Sequence, residues 1–158
     1  MPTGGKRQAV KKKKRRIKKW NPLINTSPKI KMSELIDEYA SDYINMGETT
    51  DERQSYLNSA CNAWNIAVLP EHLREEALRR SIEEYKRINP GIDDADNLTH
   101  DLRKLIQKKL QMFPGVKKVI TETSIEPVSD TKYRILVAST DHPEQLKQML
   151  TRASSWRD

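Results

Sequence analysis

Four carboxylates and one imidazole fall within nine residues of this chain, a density that is typical of metal sites. Asp93, Asp94, Asp96, His100 and Asp101 would offer the hard ligands that Mg²⁺ or Ca²⁺ prefers. The spacing is not that of a calcium loop, however, and the central glycine of such a loop is absent. Acids in the first turns of a helix are also stabilised by the helix dipole, so helix capping is the favoured interpretation.

The chain contains few cysteine and histidine residues. Cys61 is the single cysteine, and His72, His100 and His142 are isolated from one another, so no zinc-site spacing is present. Cys61 lies among small apolar residues without a neighbouring cation, which predicts a buried, unreactive side chain. Glycine-rich phosphate loops are absent as well. These residues predict neither a cofactor nor a metal.

The strongest enzymatic alternative is a Mg²⁺-dependent nuclease. Glu126, Asp130 and Lys132 follow one another near a predicted hairpin, an order that superficially resembles the Asp/Glu-x-Lys signature of restriction-type nucleases. In that class acids hold Mg²⁺ and a lysine assists the attacking water. Here Asp130 and Lys132 belong to a predicted turn and not to a strand, so a polar turn is the favoured interpretation. We therefore expect no catalytic activity.

The clearest charge pattern lies at the N-terminus, where ten basic residues and no acid precede Trp20. The remaining 139 residues carry 19 basic and 22 acidic residues. A segment with this composition has little to bury and is expected to be disordered in isolation. A flexible polycation binds nucleic acid by releasing counterions, without reading sequence. The ten residues are Lys6, Arg7, Lys11, Lys12, Lys13, Lys14, Arg15, Arg16, Lys18 and Lys19.

Apolar periodicity predicts one mainly α domain, of α+β class, over residues 21–158, after a basic tail over residues 1–20. Its centre is the helix that carries Trp64, because a large aromatic there coincides with several small apolar residues. Thr49 and Glu52 have the spacing of a capping box at the start of that helix. Helices are predicted from Ser33 as N-cap to Gly47, from Thr49 to Val68, from Pro70 to Ile88 and from about Asp94 to Phe113.

The last third of the chain changes to a period of two, which is typical of strands. Val119–Ile125 and Tyr133–Ser139 are rich in β-formers, and the turn chemistry of Pro127–Thr131 joins them into a hairpin. A short helix with Leu146, Met149 and Leu150 is predicted to follow Asp141. An isolated hairpin is marginal in water, so this one must lie on the helices or pair with another chain's hairpin, which makes a homodimer an alternative.

These patterns predict a non-catalytic protein whose tail binds nucleic-acid phosphates, RNA being favoured over DNA, while the helical domain contacts a protein. An adaptor whose tail only localises it is the first alternative, and the nuclease is the second. If the tail does not bind, the lysines at the end of the fourth helix are the next candidates. No run of about 18 apolar residues predicts a membrane span. The single cysteine and the absence of a secretory signal predict a cytoplasmic protein, or a nuclear one if the source cell has a nucleus.

Overall fold

The structure is a computed structural model that describes residues 31–141. These residues form helices α1 (Met32–Ile44), α2 (Thr50–Val68), α3 (Glu71–Ile88) and α4 (Ala95–Met112), followed by strands β1 (Val119–Pro127) and β2 (Tyr133–Thr140). The predicted mainly α fold with a small hairpin is therefore confirmed. The ten basic tail residues, His142 and the predicted helix carrying Leu146, Met149 and Leu150 lie outside the described residues. Between residues 31 and 141, no helix combines the length and the apolar character needed to cross a membrane.

Helix α2 is the element on which the others pack, since it contacts α1, α3, α4 and β1. Trp64 has no exposed surface. Its ring meets that of Tyr39 edge-on, with centroids 5.3 Å apart, and lies 5.8 Å from that of Phe113 at the end of α4. Ala60 and Ala63 are fully buried and allow close approach of neighbouring backbones. One indole thus fills the space between α1, α2 and α4, as the sequence predicted.

At the N-terminal ends of the helices, one sequence prediction is confirmed and two are wrong. The Thr49 hydroxyl accepts the Glu52 N–H at 3.1 Å, and the Glu52 carboxylate accepts the Thr49 N–H at 3.3 Å, which is the predicted capping box. Ser33 is not the N-cap of α1 but its second residue, and its hydroxyl oxygen accepts the backbone N–H of Val137 at 3.2 Å. Pro70 is the N-cap of α3 and not its first residue.

The hairpin lies on the helices, which is the first of the two predicted arrangements. Its strands are antiparallel, and the register shifts between Ile120 and Glu122, which marks a bulge. Val119, Ile120 and Ile125 of β1 and Ile135 of β2 are buried in the same core as the helices. The hairpin is therefore part of the domain core. A homodimer stays a prediction.

Helices flank both outer edges of the hairpin, where strands usually present unpaired backbone groups. On the β1 edge, the Gln54 side-chain oxygen accepts the Ile125 N–H at 2.8 Å. On the β2 edge, Ser33 accepts the Val137 N–H. This coverage explains the position of Ser33, because its hydroxyl pairs with a strand instead of capping its own helix.

Candidate nucleic-acid interface

The described domain is acidic overall but contains one basic region. Residues 31–141 carry 15 Lys and Arg against 20 Asp and Glu. Six of the basic residues fall between Asp101 and Glu122, a stretch without any acid. They occupy the second half of α4 and its connection to β1, and they are Arg103, Lys104, Lys108, Lys109, Lys117 and Lys118.

Lys109 points into the fold. Its side chain has no exposed surface, its Nζ donates to the carbonyl oxygen of Val116 at 2.7 Å, and it lies 5.1 Å from the centre of the Trp64 ring. Burial lowers the pKa of Lys109 to about 8, and the nearby charges of Lys117 and Arg74 act in the same direction. The hydrogen bond and the cation–π contact offset part of the cost of burying the ammonium group.

The charges that act on Lys109 come from α3 and from the α4–β1 connection, and Lys108 precedes Lys109 on α4. Arg74 lies in the first turns of α3, is half-buried, and donates its Nε–H to the carbonyl oxygen of Leu69 at 3.0 Å. Lys117 is exposed in the α4–β1 connection, and Lys108 is half-buried on α4. We call Arg74, Lys108, Lys109 and Lys117 the basic cluster. Sequence reasoning noted the α4 lysines but missed Arg74 and the inward direction of Lys109; the acid-free stretch is the signal that could have found the region.

Trp64 fixes the backbone beside this cluster. Its indole Nε1–H donates to the carbonyl oxygen of Lys118 at 2.9 Å. The Lys118 ammonium in turn pairs with Asp141, with Nζ and Oδ1 2.9 Å apart. The connection that carries Lys117 is therefore anchored to a fully buried aromatic of the domain, which makes its geometry well defined.

The acidic segment before α4 does not gather into a metal site. Asp94 occupies the N-cap position, but its carboxylate accepts the Tyr85 hydroxyl, at 2.8 Å to Oδ1 and 2.9 Å to Oδ2, and makes no cap hydrogen bond. Asp96 and His100 are exposed. Over residues 31–141, no three His, Cys, Asp or Glu side chains are grouped so that they could hold a metal ion. The segment thus starts the helix and ties it to α3.

The three residues of the nuclease hypothesis lie in the hairpin and its turn. Glu126 pairs with Arg134 on the opposite strand. Asp130 and Lys132 are exposed in the turn, where the Lys132 carbonyl accepts the N–H groups of Val128 and Ser129 at 2.9 and 3.1 Å. These contacts describe the polar turn that the sequence favoured.

The predicted buried state of Cys61 is confirmed. Its side chain is 3% exposed, and burial raises the pKa of the thiol to about 12. It lines a shallow groove of about 190 Å³ between α2 and β1. The polar groups there bond to one another, since the Asn58 side-chain oxygen accepts both the Thr123 hydroxyl and the Gln54 amide. The Cys61 thiol is therefore neither exposed nor ionised at neutral pH.

Comparisons with protein-family models, with curated proteins and with solved structures gave no match. The function is therefore argued from the charge distribution of the chain and from the geometry of the basic cluster.

Proposed function

We propose that this protein binds nucleic acid through the phosphate backbone and that its N-terminal basic residues make the main contact. The observation that carries this proposal is the separation of charge along the chain. Residues 1–19 contain ten basic residues and no acid, whereas residues 31–141 contain more acids than bases. A net-negative domain repels phosphates at long range, so we expect most of the attraction to come from the N-terminal residues.

The proposed binding is independent of base sequence. Lysine and arginine contacts to phosphates position a protein on nucleic acid but do not read bases. We favour RNA over DNA as the partner, with the helical domain providing a contact surface for a protein of a larger ribonucleoprotein. The ion pair of Glu126 with Arg134 engages the carboxylate that the nuclease hypothesis assigns to Mg²⁺, which supports a non-catalytic assignment.

Salt titrations test the proposal. Fluorescent oligouridine, oligothymidine and duplex DNA are titrated with the full chain and with residues 20–158. If about six N-terminal residues meet phosphates, log K falls against log salt with a slope of roughly −4 for single strands and −5 for duplexes. Removal of residues 1–19 is expected to abolish binding. The affinities of the full chain for oligouridine and for oligothymidine are compared to test the preference for RNA.

The truncation has a built-in folding control. Within residues 31–141, the buried core is formed by residues between Met32 and Ile135, so we expect the helical circular-dichroism signal and the thermal midpoint to stay nearly unchanged. A truncated chain that binds as tightly as the full chain would overturn the proposal. A full chain that binds none of the three nucleic acids would do so as well, and would favour the adaptor.

A further inference from the structure

We propose that the basic cluster is a second phosphate-binding surface, through which the folded domain itself contacts the nucleic-acid backbone. This inference rests on the proposed function and deepens it, because it assigns part of the contact to Arg74, Lys108 and Lys117, while the buried Lys109 contributes only its field. The partner it fits is a strand of closely spaced phosphates, which several cations can neutralise at once.

The first argument is the balance of charge around the cluster. Other cations of the same region are neutralised within the domain, since Arg103 pairs with Glu75 and Lys118 pairs with Asp141. The Lys109 ammonium bonds to the carbonyl of Val116, the residue before Lys117, and the charges of Lys117 and Arg74 both lower the pKa of Lys109. Positive charge is therefore concentrated at one place of a domain that is otherwise acidic.

The second argument is the burial of the Lys109 charge. A cation held between the Trp64 ring and the Val116 carbonyl is surrounded by protein and not by water. Its field is screened less than that of a solvated lysine and adds to the potential above it. Burial of a charge is costly for folding, and such costs are concentrated at functional sites.

Helix-dipole stabilisation does not account for the whole cluster. The C-terminal end of α4 favours cations in its last turns, which applies to Lys108 and Lys109. Lys117 lies beyond that helix, and Arg74 belongs to the first turns of α3, where the dipole has the opposite sign. Arg74, however, donates to the Leu69 carbonyl at the C-terminal end of α2, where a cation is favoured. Lys117 is therefore the position that phosphate binding explains.

Two variants of the full chain test the cluster. The cluster variant carries Lys108→Gln and Lys117→Gln, and the control variant carries Lys86→Gln and Lys132→Gln, which remove two exposed lysines elsewhere on the domain. Both lose the same net charge. With oligouridine, the slope of log K against log salt should become shallower by about 1.4 in the cluster variant, which corresponds to the loss of two single-strand phosphate contacts. The control variant should keep the slope of the wild type. Equal slopes in the two variants would overturn the inference.

The indole N–H resonance of Trp64 provides a second measurement, because its acceptor is the backbone carbonyl of Lys118. Trp64→Phe assigns this signal among those of the three tryptophans. Oligouridine should shift it in the wild type and in the control variant but not in the cluster variant. A signal that does not move while the full chain binds overturns the inference and leaves the N-terminal contact in place.

The two proposals fail in different ways. If the chain lacking residues 1–19 keeps its affinity and the Trp64 signal still moves, the N-terminal contact is wrong and the cluster stands. If polyglutamate shifts the Trp64 signal as strongly as oligouridine at the same salt concentration, the surface binds acidic polypeptide, and the phosphate assignment is overturned.

Discussion

The side-chain amide of Asn65 satisfies both backbone groups of Ile120. Its Nδ2 donates to the Ile120 carbonyl oxygen at 2.9 Å, and its Oδ1 accepts the Ile120 N–H at 2.8 Å. A helix side chain thus takes the place of a neighbouring strand at the edge of β1. This pairing, together with that of Gln54 and Ile125, allows a two-stranded sheet to be stable against a helix without a third strand.

Removal of this amide should weaken the domain measurably. Asn65→Ala leaves the Ile120 N–H and C=O unpaired beside the core, at an expected cost of about 1–3 kcal/mol in the free energy of unfolding. Urea denaturation gives the cost, and amide hydrogen exchange at Ile120 should accelerate. Asn62→Ala is the matched control, since Asn62 lies on the same helix but bonds only the surface hydroxyl of Ser81. Equal costs in the two variants would contradict the proposed role of Asn65.

Lys109→Met should change how stability depends on pH. The pKa of Lys109 is about 8 in the folded state and near 10.5 when unfolded, so the unfolded state holds the proton more tightly. The stability contributed by this residue therefore increases as the pH rises from about 8 to 10.5. The free energy of unfolding of the variant minus that of the wild type should therefore decrease by about 2 kcal/mol between pH 7 and pH 10, since one pKa unit corresponds to about 1.4 kcal/mol.

Denaturant unfolding of both proteins across this range measures that difference. Cys61 and the buried tyrosines titrate alike in both proteins and cancel in the comparison. If the difference in unfolding free energy between the two proteins does not depend on pH, the pKa of Lys109 is the same in the folded and unfolded states. Lys109 would then be as solvated in the folded state as in the unfolded state.

Substitutions of Trp64 should separate packing from hydrogen bonding. Trp64→Ala empties a fully buried site between α1, α2 and α4 and should cost about 3–5 kcal/mol. Trp64→Phe retains an aromatic ring against Tyr39 and mainly leaves the Lys118 carbonyl unpaired, so its cost should be smaller. Equilibrium unfolding ranks the two variants, and the reverse order would argue against Trp64 as the packing centre.

The thiol of Cys61 should react only when the domain opens. Burial raises its pKa to about 12, so at pH 8 it is neither exposed nor ionised. Its labelling by a thiol reagent should be about 1,000-fold or more slower than in urea, as expected for a site that opens by unfolding. The variant Cys61→Ala with Gln107→Cys, which moves the thiol to an exposed position of α4, should react at once. Fast labelling of the wild type would refute the buried assignment.

Local sequence patterns determined the elements of this domain. The capping box of Thr49 and Glu52, the apolar stripe around Trp64 and the turn between the strands are set by residues a few positions apart. Their energies depend on neighbouring backbone groups and on side-chain periodicity, both of which can be read from the chain. The concentration of ten cations before Trp20 is likewise a property of the sequence alone.

The tertiary structure decided where polar side chains find their partners. Ser33 was predicted to cap α1, and the lysines at the end of α4, which include Lys109, were named as the next candidates for binding. The structure pairs Ser33 with Val137 and turns Lys109 towards Trp64 and Val116. These outcomes depend on which backbone groups are left unpaired when distant elements meet, as at the edges of the hairpin. No local pattern contains that information, because the partners are 104 residues apart in the case of Ser33 and Val137.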